Sequence, residues 1–304
     1  MSGSLSYPES PRELRALLRE RGLSPSKRFG QHFLIEPRLL DVIARLGELG
    51  EKDLVLEVGT GPGNLTRRLA DFAGLVVTVE IDEGLYNLSR DLLGSRSNIR
   101  LVHGDVLEAK TKLNSEVVEK LDVGLVAPDL DSFKVVANLP YNISTPFLTS
   151  LILRFGPPDR MVLLVQKELA DSLVAKPGSK EYGPLRIIFA LLMDVTRDRT
   201  LSSEVFWPRP QVDSAIVVTS SKGLDPVPVI RAYGLMRYLF SARRKTIGGL
   251  LKRLPVEMGG PLDADAVAEV LKAAELSGRE RAESLSPEIF LILDRAVSSL
   301  ADQG

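Results

Sequence analysis

The feature that most restricts the fold is an alternation of short, continuously apolar runs with helical stretches between residues 54 and 166. Residues 54–59 (LVLEVG), 75–81 (LVVTVEI), 99–104 (IRLVHG), 133–139 (FKVVANL) and 161–166 (MVLLVQ) read as strands buried on both faces. Between them, residues 65–72, 83–93, 115–121 and 146–154 space their apolar side chains as helices do. Such an alternation builds a parallel sheet with helices on both sides. Helices are also expected over 12–20, 37–46 and 185–193, and residues 213–220 (DSAIVVTS) read as a late strand closing the sheet. Beyond about Gly223 the strand signals stop, and 229–239, 242–254, 264–274 and 287–300 read as helices. The expected architecture is α/β: a Rossmann-like sheet domain over residues 1–222, then a smaller all-helical domain over 223–304.

Composition narrows the chemistry. There is no Cys, which excludes disulfides, thiol nucleophiles and Cys-ligated metal centres. The two histidines, His32 and His103, are far apart in sequence, so neither a His-rich metal site nor a Ser-His-Asp triad is expected. His103 falls within a strand and reads as structural. No apolar run reaches the ~18–20 residues of a membrane-spanning helix, and residues 1–11 are Ser/Pro-rich without an apolar signal core. A soluble, cytoplasmic chain is expected. The net charge of −1 is silent about partners, but its distribution is not. Arg12, Arg15, Arg19, Arg21, Lys27 and Arg28 cluster near the start, and Arg231, Arg237, Arg243, Arg244, Lys245, Lys252 and Arg253 cluster later with no acid between them. Such patches suit a polyanion, or simply solvated helix faces.

Glu57-Val58-Gly59-Thr60-Gly61-Pro62-Gly63 follows the first strand and opens a helix. Glycines let the backbone turn sharply and approach a ligand, and the helix start offers free N–H groups. Glu80 ends the next strand, where an acceptor for ribose hydroxyls is expected. The spacing is Gly-x-Gly-x-Gly, not the Gly-x-Gly-x-x-Gly of dinucleotide folds, and Pro62 removes an N–H from any pyrophosphate cradle. An adenosine without phosphates suits this loop, and S-adenosylmethionine is the common one. Asp105 closes the third strand, as a turn-former or as an acceptor for an adenine amine.

Asn138-Leu139-Pro140-Tyr141 ends the fourth strand. An amide oxygen and a nearby main-chain carbonyl can accept from an exocyclic amine while Tyr141 stacks on the ring that bears it. An adenine amine is a poor nucleophile because its lone pair is delocalised. Two acceptors localise that pair and aim it at a sulfonium methyl, without a dedicated base.

These motifs resemble the ribosomal RNA adenine N6,N6-dimethyltransferase family, which also contains the erythromycin-resistance methylases. The resemblance is carried by Gly30-Gln31-His32-Phe33-Leu34, the Glu57–Gly63 loop, Asn138–Tyr141, the run from Phe206 to Ser214 (FWPRPQVDS) and Arg243-Arg244-Lys245-Thr246. It implies S-adenosylmethionine-dependent dimethylation of two adjacent adenines in a hairpin loop near the 3′ end of small-subunit ribosomal RNA. It assigns His32 and Leu34 to the methionine end of the cofactor, Gly59 and Gly61 to the glycine turn, Glu80 to the ribose, Asp105 to the cofactor adenine, and Asn138 to the transferring methyl. His32 stands where many bacterial relatives have Asn; it serves through a ring N–H, through its backbone, or as a packed residue. Tyr141, Phe206, Arg243, Arg244 and Lys245 fall to the RNA, although Phe206 also suits a core. The implied partner is an immature small ribosomal subunit met by a monomer, with no metal and no membrane. Two rivals stand beside this reading: a non-catalytic RNA-binding assembly or transcription factor on the same fold, and a nicotinamide-dependent dehydrogenase.

Overall fold

A computed structural model describes residues 7–301; the expectations for residues 1–6 lie outside it. A seven-stranded sheet forms from β1 (Asp53–Val58), β2 (Leu75–Glu80), β3 (Ile99–His103), β4 (Ser132–Asn138), β5 (Arg160–Gln166), β6 (Met193–Leu201) and β7 (Ser214–Ser221). Its order is β3-β2-β1-β4-β5-β7-β6. The first five strands are parallel, and β7 runs antiparallel to β5. Every residue of β1 is buried, which is why its sequence is apolar without alternation. Val55, Val76, Val136, Val162 and Ile216 form one core with Leu40, Ile43 and Leu69. Leu54, Leu56, Val77 and Val135 alternate with them and are equally buried. Each such side chain contributes roughly 2 kcal/mol, against less than about 1 kcal/mol for an exposed ion pair, so burial sets the topology.

The strand order reverses between β1 and β4. From β1 the chain passes through α3 (Asn64–Ala70) to β2, and from β4 through α6 (Ser144–Phe155) to β5, on the other side. A crevice opens at the carboxyl ends of strands where neighbouring connections diverge in this way. At the opposite end, Lys134 of β4 donates to Asp53 Oδ2 of β1 at 2.7 Å and to the Glu48 carbonyl at 2.6 Å. That pair is almost dry, with side-chain exposures of 13% and 7%, and holds the two central strands together below the crevice.

The chain divides into two compact units. One comprises the residues up to Ala170 and Thr196–Ser221; the other comprises Asp171–Val195 and the chain from Lys222 onward. A single division at 222/223 therefore misplaces Asp171–Val195, which packs with the C-terminal helices. Helix α8 (Pro184–Leu192) contacts α9 (Val227–Ser241) and α12 (Pro287–Ala301). The expected helix over 242–254 shrinks to Ile247–Leu251. Thr246 caps it by accepting from Gly249 N–H, and the preceding Arg243–Lys245 lie in a turn.

That turn corrects one assignment. Arg243, expected on the RNA, spends its guanidinium on the carbonyls of Lys180 (2.9 Å) and Tyr182 (2.7 Å) and pairs with Glu283 at 3.2 Å. It staples Asp171–Val195 to the helical unit. Arg244 and Lys245 are exposed. Arg243→Ala is expected to destabilise the protein by about 2 kcal/mol, whereas Arg244→Ala leaves stability within about 0.5 kcal/mol; denaturant unfolding of both variants checks the contrast.

Candidate active site

The glycine loop is shaped by what it must approach. Gly59 has φ +86°, and a Cβ there would sit 3.5 Å from Pro140. That is ordinary contact, so it is the positive φ rather than lack of room that calls for glycine where the β1 tip meets the Asn138–Tyr141 turn. Beneath the loop is buried Glu57. Its Oε2 accepts from Thr66 Oγ1 (2.6 Å) and Thr78 Oγ1 (2.7 Å), and Thr78 meets Thr60 Oγ1 at 2.7 Å. The carboxyl is pushed up to about 8, because the burial cost exceeds what two hydroxyl donors return.

Glu80, at the tip of β2, is 4% exposed. Its Oε2 accepts from Gly61 N–H at 2.8 Å and its Oε1 from Asp82 N–H at 2.9 Å, so it fixes the loop while keeping lone pairs for a ligand. Burial raises its pKa as well, against those two N–H donors. Asp105 follows β3 and is exposed, with Oδ1 accepting from Leu107 N–H at 2.9 Å. Both carboxylates line one crevice, together with Phe33, Gly59, Gly61, Ile81, Val106 and Asn138–Ile143. Among its described lining residues there is no Lys or Arg.

Asn138 is oriented by the N-terminal segment. Its Nδ2 donates to the main-chain carbonyl of His32 at 3.0 Å, so Oδ1 is the atom left to accept from a substrate. The Pro140 carbonyl already receives Ser144 Oγ (2.9 Å) and Ile143 N–H (3.3 Å). That of Leu139 receives no hydrogen bond from the described residues. The Leu139 carbonyl is thus the main-chain oxygen of this turn with capacity left to accept a hydrogen bond. The Tyr141 hydroxyl lies 2.6 Å from Ser214 Oγ, and its ring stacks on His32 with centroids 5.3 Å apart and planes 26° apart. His32 Nδ1 donates to the Pro208 carbonyl at 2.7 Å, because a carbonyl can only accept.

The expected site residues thus separate. His32, Gly59, Gly61, Glu80, Asp105 and Asn138 to Tyr141 line one crevice. Leu34 and Phe206 do not. They pair across a two-residue ribbon, Leu34 opposite Phe206 and Phe33 opposite Trp207. Alternation turns the first pair into the core, where Leu34 is 6% and Phe206 2% exposed. Phe33, beside Leu34, is the one that reaches the crevice. His103 is not a packed core residue: it is exposed at the end of β3, its ring 4.9 Å from that of Tyr86. Sequence reasoning gave no role to Gln31, which accepts from Ser26 N–H at 2.6 Å, or to Ser214. Neither contact is visible without the fold.

Among the described residues no group of His, Asp and Glu could hold a metal ion, and no helix is long and apolar enough to cross a membrane.

Comparison with known proteins agrees with this geometry. A family model described as ribosomal RNA adenine dimethylase matches residues 23–291. Ribosomal RNA small subunit methyltransferase A of Moorella thermoacetica is 35% identical over 294 residues, covering 95% of this chain and 98% of that one. Its namesake from Pediococcus pentosaceus is 41% identical over 220 residues, covering 72% and 71%. The crystal structure of a dimethyladenosine transferase from Plasmodium falciparum matches with a TM-score of 0.66 at 27% identity, over 86% of this chain and 96% of that one. That of the 23S rRNA methyltransferase ErmE matches with a TM-score of 0.57 at 25% identity, over 88% and 99%.

The buried acid makes stability depend on pH. Below the ordinary carboxyl value of 4.5, folded and unfolded chains both hold the Glu57 proton. As pH rises from there to about 8, the unfolded chain releases it while the folded chain retains it, so stability falls. The upper limit is roughly 1.4 kcal/mol for each pH unit crossed. Glu57→Gln keeps an acceptor for both threonines and removes the titration. Its melting temperature is expected to gain on the wild type between pH 5 and pH 8; a constant difference across that range would refute the assignment.

Proposed function

The chain belongs to the ribosomal RNA adenine dimethylase family, and on that premise we propose that it methylates, from S-adenosylmethionine, the N6 amines of two adjacent adenines in a hairpin loop near the 3′ end of small-subunit ribosomal RNA. It does so as a cytoplasmic monomer acting on immature small subunits. The observation that carries this reading is the pair of acceptors, Asn138 Oδ1 and the Leu139 carbonyl, at the mouth of an acidic crevice.

The residues present fit a cationic adenosine derivative. Glu80 and Asp105 supply negative charge and acceptors, Ile81, Val106 and Phe33 supply apolar surface, and the described lining offers no cation for a pyrophosphate. That contrast disfavours a nicotinamide dinucleotide. When bound, S-adenosylmethionine supplies a methyl group on positively charged sulfur. Glu80 would hold the ribose hydroxyls, Asp105 the adenine amine, the Gly59–Gly61 backbone and His32 the methionine part.

The chain's own work concerns the target base. A paired adenine cannot present its amine in a crevice, so the base must come from a loop or be flipped out. Tyr141 offers a stacking face, while Asn138 Oδ1 and the Leu139 carbonyl accept the two amine hydrogens. Both acceptors are neutral, so they hold the amine without protonating or binding it as an ion. Drawing both hydrogens toward acceptors pulls the nitrogen out of conjugation and localises its lone pair.

Contacts to the RNA backbone are supported by α1 (Pro11–Glu20). Leu14, Leu17 and Leu18 bury one side against Leu85, Leu88 and Leu92. Arg12, Arg15 and Arg19 line the exposed side, and Arg15 lies over the Trp207 ring at 5.2 Å. Exposed Arg244 and Lys245 add charge on the helical unit.

Methyl transfer to small subunits purified from cells lacking this gene tests the reading, with mass spectrometry locating the modified bases. Asn138→Ala is expected to lose at least about a hundredfold in rate. Wild type and variant equally inactive would favour the non-catalytic RNA-binding alternative. Replacing Arg12, Arg15 and Arg19 together with Ala is expected to lower the slope of log affinity against log salt by about 2 to 3; an unchanged slope in a binding titration would remove α1 from the interface.

A further inference from the structure

The Ser214 hydroxyl stands where the sheet has no use for one. Ser214 opens β7 opposite Gln166 of β5 and is fully buried. The next three residues of the strand, Ala215, Ile216 and Val217, are buried and apolar, and an alanine would serve the ladder equally well. A buried hydroxyl costs free energy unless it has a partner, and this one lies 2.6 Å from the Tyr141 hydroxyl, 73 residues away in sequence. The aromatic ring that follows Pro140 is therefore held at its far edge by a strand that contributes nothing else to the crevice.

We propose that Ser214 is a positioning residue for methyl transfer: through the Tyr141 hydroxyl it fixes the plane of the ring on which the target base stacks. This role rests on the function proposed above. The ring torsion of a tyrosine is broad and weakly restrained by its own covalent geometry. Here the ring is restrained on one face by His32, stacked at 5.3 Å, and at its edge by Ser214. Without the edge contact the ring can tilt, and a base stacked on it tilts too. The amine then meets Asn138 Oδ1 and the Leu139 carbonyl at a poorer angle. Transfer rates are sensitive to such small misplacements. Among the crevice residues assigned to the methyl donor, His32 is linked to Ser214 through the stacked Tyr141 ring alone, so donor affinity is expected to shift far less than the rate.

The test compares wild type, Ser214→Ala, Tyr141→Phe and the double variant, using tritiated S-adenosylmethionine and small subunits lacking the modification. Ser214→Ala is expected to lower kcat about tenfold, the size of one well-made hydrogen bond realised in the transition state. KM for S-adenosylmethionine is expected to stay within about twofold. Tyr141→Phe should lose as much as Ser214→Ala, and the double variant no more than either, since one bond is removed in all three. Wild-type kcat in Ser214→Ala, losses that multiply in the double variant, or a loss confined to KM each overturn the role. Should Ser214→Ala fail to fold, Tyr141→Phe decides alone, because it deletes only a hydroxyl; wild-type kcat there overturns the role. A wild type that transfers no methyl group overturns the functional reading and this role with it. An active wild type matched by Ser214→Ala overturns the role only.

Discussion

β1 and β4 lie side by side in a parallel ladder, yet the chain leaves them toward opposite edges of the sheet. The connections diverge at their carboxyl ends, and the glycine loop and the Asn138–Tyr141 turn line the crevice that opens there. The Lys134–Asp53 contact draws the two strands together at the other end. At the tips, the positive φ of Gly59 turns the glycine loop beside Pro140. The glycine loop and the Asn138–Tyr141 turn are two sides of one opening. A substitution that separates the strands would disturb both, without touching either motif.

The electrostatics follow from the same placement. Three carboxyl groups, Glu57, Glu80 and Asp105, sit at or beneath the tips of three adjacent strands, and the described lining holds no Lys or Arg to neutralise them. For Glu57 and Glu80 burial outweighs the donors that reach them, so both hold protons more tightly than free carboxyls. A site built this way is costly when empty and relieved by a positively charged guest. The donors decide what each acid can do. Glu57 is closed off among threonine hydroxyls and acts as scaffold. Glu80 takes one N–H on each oxygen and keeps accepting capacity for the crevice.

Most of the sheet was legible because burial on both faces leaves an unbroken apolar record. All five parallel strands fall within one residue of the runs that announced them at both ends. β6 left no such record. Its interior is mostly exposed and carries Arg197, Asp198 and Arg199, the charged dress of a sheet edge, which hides a strand from any reading based on hydrophobicity. The helix expected over 242–254 failed for a different reason: its periodicity is helical, but Thr246 is extended and caps a new start. Leu34, Phe206 and Arg243 show the limit of motif reasoning. Leu34 belongs to a run that lines the crevice, yet neighbouring residues in an extended segment face opposite ways. Only the register of the ribbon tells that Phe33 faces the ligand and Leu34 the core. Likewise, only tertiary packing shows that Arg243 is occupied by main-chain carbonyls.

Residue 32 joins two demands that the chemistry keeps separate. The first is the orientation of Asn138, whose amide nitrogen is held so that its oxygen stays free to accept. It is met by the carbonyl of His32, a main-chain atom present whatever side chain stands there. The second is support for the Tyr141 ring, met by the imidazole, which is itself tied to the Pro208 carbonyl. Asparagine in its place would preserve the first arrangement and surrender the stacked ring. The burden of holding Tyr141 would then shift to its edge, where the hydroxyl is anchored in β7. Because the contact to Asn138 comes from the backbone, it does not depend on which side chain stands at position 32. Only the adjustable contact is left to the side chain.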